Sequence, residues 1–84
     1  MTPVHRARAV AAELGWLDLE DALRILVVMA EKQDPRFSRA AARFAARVVT
    51  ERRLEPPEAH RVLALAETLP RSPDAIAVLL RSYC

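Results

Sequence analysis

Glycine occurs once in this chain, at Gly15, and cysteine once, at Cys84. With one glycine there are few sites able to take the positive φ of tight hairpin turns, so a hairpin-built sheet is not expected. Glycine-rich loops that cradle phosphates are excluded on the same ground. A single thiol closes no internal disulfide, and nothing indicates an oxidising compartment. Cys84 is expected to be a mobile thiol able to cross-link copies only under oxidation. The four aromatic residues form no stacking platform for single-stranded nucleic acid: Phe37 and Phe44 share one apolar stripe, and Trp16 and Tyr83 lie near opposite ends. The longest apolar runs are six residues, far below the roughly 20 that cross a bilayer. "AVAAELG" near the N-terminus is short and broken by Glu13, unlike a secretory signal. The expected location is the cytoplasm, away from membranes.

Catalytic constellations are missing as well. Ser38, Ser72, Ser82 and Cys84 are the nucleophilic candidates and His5 and His60 the bases, yet local spacing places none of them together. Neither histidine has another histidine or a cysteine at i+3 or i+4, the spacing that would present two metal ligands on one helix face. No enzyme activity, cofactor or metal is expected.

What is present is helix-forming. Hydrophobic residues make up 52% and charged residues 29%, a balance that excludes disorder, and alanine, leucine and arginine dominate. Eighty-four residues allow one domain. Proline after a capping residue marks helix starts at Thr2-Pro3, Asp34-Pro35 and Ser72-Pro73, and less tidily at Glu55-Pro56-Pro57. Proline suits the first helical position because its missing N–H would have no intrahelical partner. Asp18 can cap the amides of Glu20 or Asp21, and Gly15 suits a left-handed helix end. Five helices are predicted, over 3–14, 19–32, 35–53, 57–69 and 73–83. Their short connections predict an all-α bundle of antiparallel hairpins. "DALRIL" (21–26) and "EAHRVL" (58–63) echo each other at an offset of 37, which fits either a duplicated hairpin or two amphipathic hairpins of independent origin.

Periodicity assigns faces. Phe37, Ala41, Phe44 and Val48 form one stripe, and Ala59, Val62, Leu63, Ala66 and Leu69 another. By contrast "ILVVMA" (25–30) and "AIAVLL" (75–80) are apolar all round, since six residues sweep about 600°. Such helices are either central or carry surface that a partner covers, and Val28, Met29, Val78 and Leu79 are the candidate interface. Trp16 and Leu17 are expected to plug the end of the first hairpin.

Charge is uneven. Residues 36–53 hold six arginines against one acid, a net +5, while the remainder holds seven bases and ten acids, a net −3. Arg36, Arg39, Arg43 and Arg47 recur at three or four residues and so share one helix face, away from the phenylalanines. Three readings of that face stand: a solvated surface, a patch for acidic groups of a partner protein, or a phosphate-binding strip. A helix-turn-helix would place Arg36, Ser38 and Arg39 in the major groove, against which stand low total charge and the lack of a basic arm.

"DPRFSRAAARFAARVVTERRLEPPEAHRVLALAETLP" (34–70) resembles a group of small all-α proteins of GC-rich bacteria. These have an arginine- and aromatic-rich helix, an "L-x-x-x-E-A" helix start and an alanine–leucine helix ending in Leu-Pro. The resemblance implies a helical fold and carries no activity or binding residues. The sequence therefore leads to a non-catalytic interaction or regulatory module, with a homodimer through its apolar helices as one form of it and a small DNA-binding regulator as the alternative.

Overall fold

The computed structural model describes residues 17–84. Helix α1 runs Leu19–Glu31, α2 Phe37–Arg52, α3 Pro56–Thr68, and α4 Pro73–Arg81, with a 3₁₀ turn at Leu69–Arg71 between α3 and α4. No strand occurs among the described residues. The chain is all-α, and four of the five predicted helices are seen. The segment 3–14, Thr2-Pro3, Gly15 and Trp16 lie outside the described residues.

The start signals act in different ways. Asp18 caps α1 as expected, its carboxylate accepting the Asp21 amide at 2.9 Å. Pro56 and Pro73 occupy first-turn positions of α3 and α4. Their flanking Glu55 and Ser72 accept no capping hydrogen bond, leaving the fixed φ of proline to favour those starts. Asp34-Pro35 departs from expectation. The Asp34 carboxylate accepts the Arg36 amide at 2.8 Å, and the Asp34 carbonyl accepts the Phe37 amide at 2.9 Å. That local turn delays the helix to Phe37.

Two helix ends close without glycine. After α1, Gln33 takes φ 54°, its amide donates to the Ala30 carbonyl, and the Asp34 amide donates to the Met29 carbonyl. After α2, Arg53 takes φ 51°, its amide donates to Thr50, and the Leu54 amide donates to Val49. These paired bonds are Schellman closures, which satisfy helix carbonyls that would otherwise lack partners.

Each helix packs on its chain neighbour, and α4 returns to pack on α1, so the four helices make a closed ring. The stripe Phe37, Ala41, Phe44 and Val48 is buried throughout. From α3 and the turn after it, Val62, Ala66 and Leu69 are buried, with Leu63 half-buried against them. Leu19, Leu23 and Leu26 enter from α1 and Leu80 from α4. Seven of the sixteen buried residues among those described are alanines, at 22, 30, 40, 41, 45, 66 and 77. Small residues at helix contacts let axes approach toward the short end of the usual 8–10 Å range. No buried residue among those described is polar or charged. Leu17 packs half-buried on this core.

Among the described residues, both all-round apolar helices keep large apolar side chains exposed. From α1, Val28 remains 48% exposed, and from α4, Val78 and Leu79 remain 61% and 52% exposed. The mobile thiol expected at Cys84 is also corrected. Cys84 is half-buried against the core, its Sγ 3.6 Å from the Leu80 carbonyl oxygen.

Candidate functional site

Two surfaces can be built from these elements: the outer side of α2, and the seam between α1 and α4.

On α2, each residue advances about 100° around the axis. Counting from Phe37 on the buried side, Arg39 stands at about 200° and Arg43 at about 240°, nearly opposite the core. Arg47 stands at about 280°, on the flank. This difference decides their fates. Arg39 and Arg43 are exposed, and neither makes an ion pair with a described residue. Arg47 is half-buried and its Nε donates to Glu51 at 2.7 Å, one turn on. Arg36 precedes the helix and is gripped by Asp34, Nε and a terminal nitrogen donating to the two carboxylate oxygens at 3.1 and 2.9 Å. The guanidinium and the amide of Arg36 together hold the Asp34 carboxyl down to about 2.

The four-arginine face is thus divided: Arg36 and Arg47 have internal carboxylate partners, whereas Arg39 and Arg43 point outward about 6 Å apart along the helix. Two like charges four residues apart cost the helix a few tenths of a kcal/mol unless something neutralises them. The Arg47–Glu51 spacing is visible in sequence. The role of Arg52 is not. Its Nε donates to the Tyr83 carbonyl at 2.7 Å and its terminal nitrogen to the main-chain oxygen of Cys84 at 2.6 Å, across more than thirty residues. No local pattern signals a bond of that span.

The α1–α4 seam holds an open hollow of about 490 Å³. Leu23, Val27 and Val28 line it from α1, and Ala77 and Val78 from α4. Arg24, Asp74 and Arg81 add charge of both signs. Of the predicted apolar interface, Val28 and Val78 therefore meet in one groove. Met29 is half-buried against the core, and Leu79, about 100° round α4 from Val78, faces away.

The chemistry available at either surface is recognition. His60 is exposed on α3, and no group of three or more histidine, cysteine or acidic residues is gathered as a metal site among the described residues. Burial pushes the Cys84 thiol up from its ordinary value, against the pull of Arg52, which disfavours the thiolate that nucleophilic work needs. No described helix is long and apolar enough to cross a membrane. Compared with known proteins, the chain matches no family model, no curated protein and no solved structure.

Proposed function

We propose that this chain is a small, non-catalytic, cytoplasmic module for protein–protein interaction or regulation, which presents Arg39 and Arg43 to acidic groups of a partner. The observation that supports it is the contrast within one segment. Arg36, Arg47 and Arg52 are tied to acceptors of their own fold, while Arg39 and Arg43 face solvent with no ion pair among the described residues. The exposed apolar seam of α1 and α4 supplies the contact area that surface charge alone does not. In this reading the whole chain is a five-helix bundle of antiparallel hairpins, the amphipathic spacing of 3–14 supplying the remaining helix.

The alternative is a small DNA-binding regulator using the same two arginines. The regulator reading carries a defined salt dependence. Two phosphate contacts give a slope near −1.8 in log K against log salt, hence about a 12-fold loss between about 50 and about 200 mM. Four contacts would give a loss of about 150-fold. The test titrates a labelled polyglutamate peptide and a labelled DNA duplex at both salts, with wild type and the Arg39→Glu/Arg43→Glu variant. Binding of the peptide that the variant loses, with unchanged helical circular dichroism, is the expected outcome. Duplex binding that falls about 12-fold or more between the two salts and is lost in the variant favours the regulator. Loss of helicity in the variant would mean that the arginines serve the fold, and the interaction reading would fail.

A further inference from the structure

The side of α4 that lines the groove reads Asp74, Ala77, Val78, Arg81, residues at i, i+3, i+4 and i+7 on one stripe, all exposed except Ala77 at the groove floor. The stripe is self-complementary when reversed. A two-fold axis midway between Ala77 and Val78 lays Asp74 over Arg81 of a second copy, Val78 over Ala77, and each pair again in the opposite sense. Asp74 and Arg81 are both exposed, lie about 10.5 Å apart along the helix, and have no ion pair with any described residue. Ala77 is buried at the floor of the groove and Val78 stands at its edge, the small-beside-large arrangement that accepts a knob from a facing helix. Val28 extends the apolar wall on the α1 side.

We infer that the α1–α4 seam is a homodimer interface, in which α4 crosses α4 of a second copy antiparallel about that two-fold axis. Such an interface is isologous, and one patch serves both partners. Opposite charges at the two ends fix direction: a parallel pairing sets Asp74 against Asp74 and Arg81 against Arg81, and like charges across an interface are unfavourable. Antiparallel pairing also opposes the two helix dipoles. The inference deepens the interaction reading by naming the occupant of its apolar surface, and does not depend on what Arg39 and Arg43 bind.

The experiment is sedimentation equilibrium of the full chain between about 10 μM and about 1 mM, with Asp74→Arg, Arg81→Asp, the double reversal, and Val78→Lys. A concentration-dependent dimer is expected, weakened about 10-fold by either single reversal and restored to within about 3-fold by the double reversal. Val78→Lys should abolish it. That substitution sits on an exposed side chain, so it remains informative if Asp74→Arg costs helicity at the first turn of α4. A chain that stays monomeric throughout overturns the inference. A thermal loss in monomeric Val78→Lys would then point to the groove being covered from within the same chain. A dimer indifferent to all four variants also overturns it, by placing the interface elsewhere. Monomeric protein that still binds polyglutamate through Arg39 and Arg43 would leave the interaction reading standing. A dimer without such binding would do the reverse.

Discussion

Arg53→Gly should make the protein more stable. Arg53 holds φ 51° and ψ 53° in the closure of α2, and its side chain is exposed without an ion pair among the described residues. A residue with a Cβ in the left-handed region carries a penalty of about 1–2 kcal/mol. Glycine removes that penalty but loses about 0.5–1 kcal/mol through the greater freedom of the unfolded chain. The difference spans about 0–1.5 kcal/mol with a midpoint of about 0.75, or about 3–6 °C in Tm at that midpoint for a domain of this size. Gln33→Gly at the end of α1 has the same basis, with φ 54°. The two sites close different helices, so their gains at that midpoint should add to about 1.5 kcal/mol. Urea unfolding followed by circular dichroism measures this as a rise in midpoint at unchanged slope. The decisive control is Arg53→Ala, which deletes the guanidinium and keeps the Cβ. If Arg53→Ala gains as much as Arg53→Gly, charge rather than backbone geometry is responsible. If Arg53→Gly lowers the midpoint, the left-handed penalty is not there to be relieved.

Three further outcomes follow from side-chain environments. Leu80 is fully buried and, with Ala77, makes up the buried residues of α4, Ile76 packing half-buried beside them. Leu80→Ala should cost about 2–5 kcal/mol, while Glu67→Ala on the exposed side of α3 should stay within about 0.5, both read from urea midpoints. Because the Asp34 carboxyl titrates lower folded than unfolded, its stabilisation is complete above about pH 4 and fades as pH falls toward about 2. Thermal melts of Asp34→Asn should therefore lose part of the wild-type slope in that window, and an unchanged slope would count against the Arg36 pairing. Cys84 should react with a thiol reagent at about pH 8 more slowly in the folded chain than in denaturant, since burial disfavours its thiolate. Arg52→Met should release the Tyr83–Cys84 segment and raise the folded-state rate, although loss of the nearby cation by itself would lower it.

The fold was legible where the signal was local. Period and proline placed α1, α3 and α4, and the stripe from Phe37 to Val48 named the buried side of α2. What stayed hidden depended on competition or distance. Asp34-Pro35 looked like the first residues of a helix, but the carboxylate captured the Arg36 amide and held the chain in a turn. The two Schellman closures fall on glutamine and arginine, and nothing in those residue types announces a positive φ. The four arginines share a spacing, yet a drift of about 40° per four residues carries Arg47 to the flank and within reach of Glu51. Arg52 finds its acceptors only after α3 and α4 have returned the chain to it.

The alanines that draw these helices together also restrict how the sequence can change. At Ala41 and Ala66, both fully buried, a step up to valine adds volume where neighbours leave none, at about 1–3 kcal/mol. The step down to glycine forfeits about 1 kcal/mol of helix propensity. A leucine core can drift through isoleucine or methionine with repacking, but an alanine position has no neutral neighbour on either side. With seven such positions, and no buried polar pair among the described residues to dictate alignment, steric exclusion by alanine is what keeps one helix from sliding along another. A random single-residue scan should accordingly find fewer neutral substitutions at the smallest side chains of the core than at the leucines, even though the largest single losses come from truncating leucine.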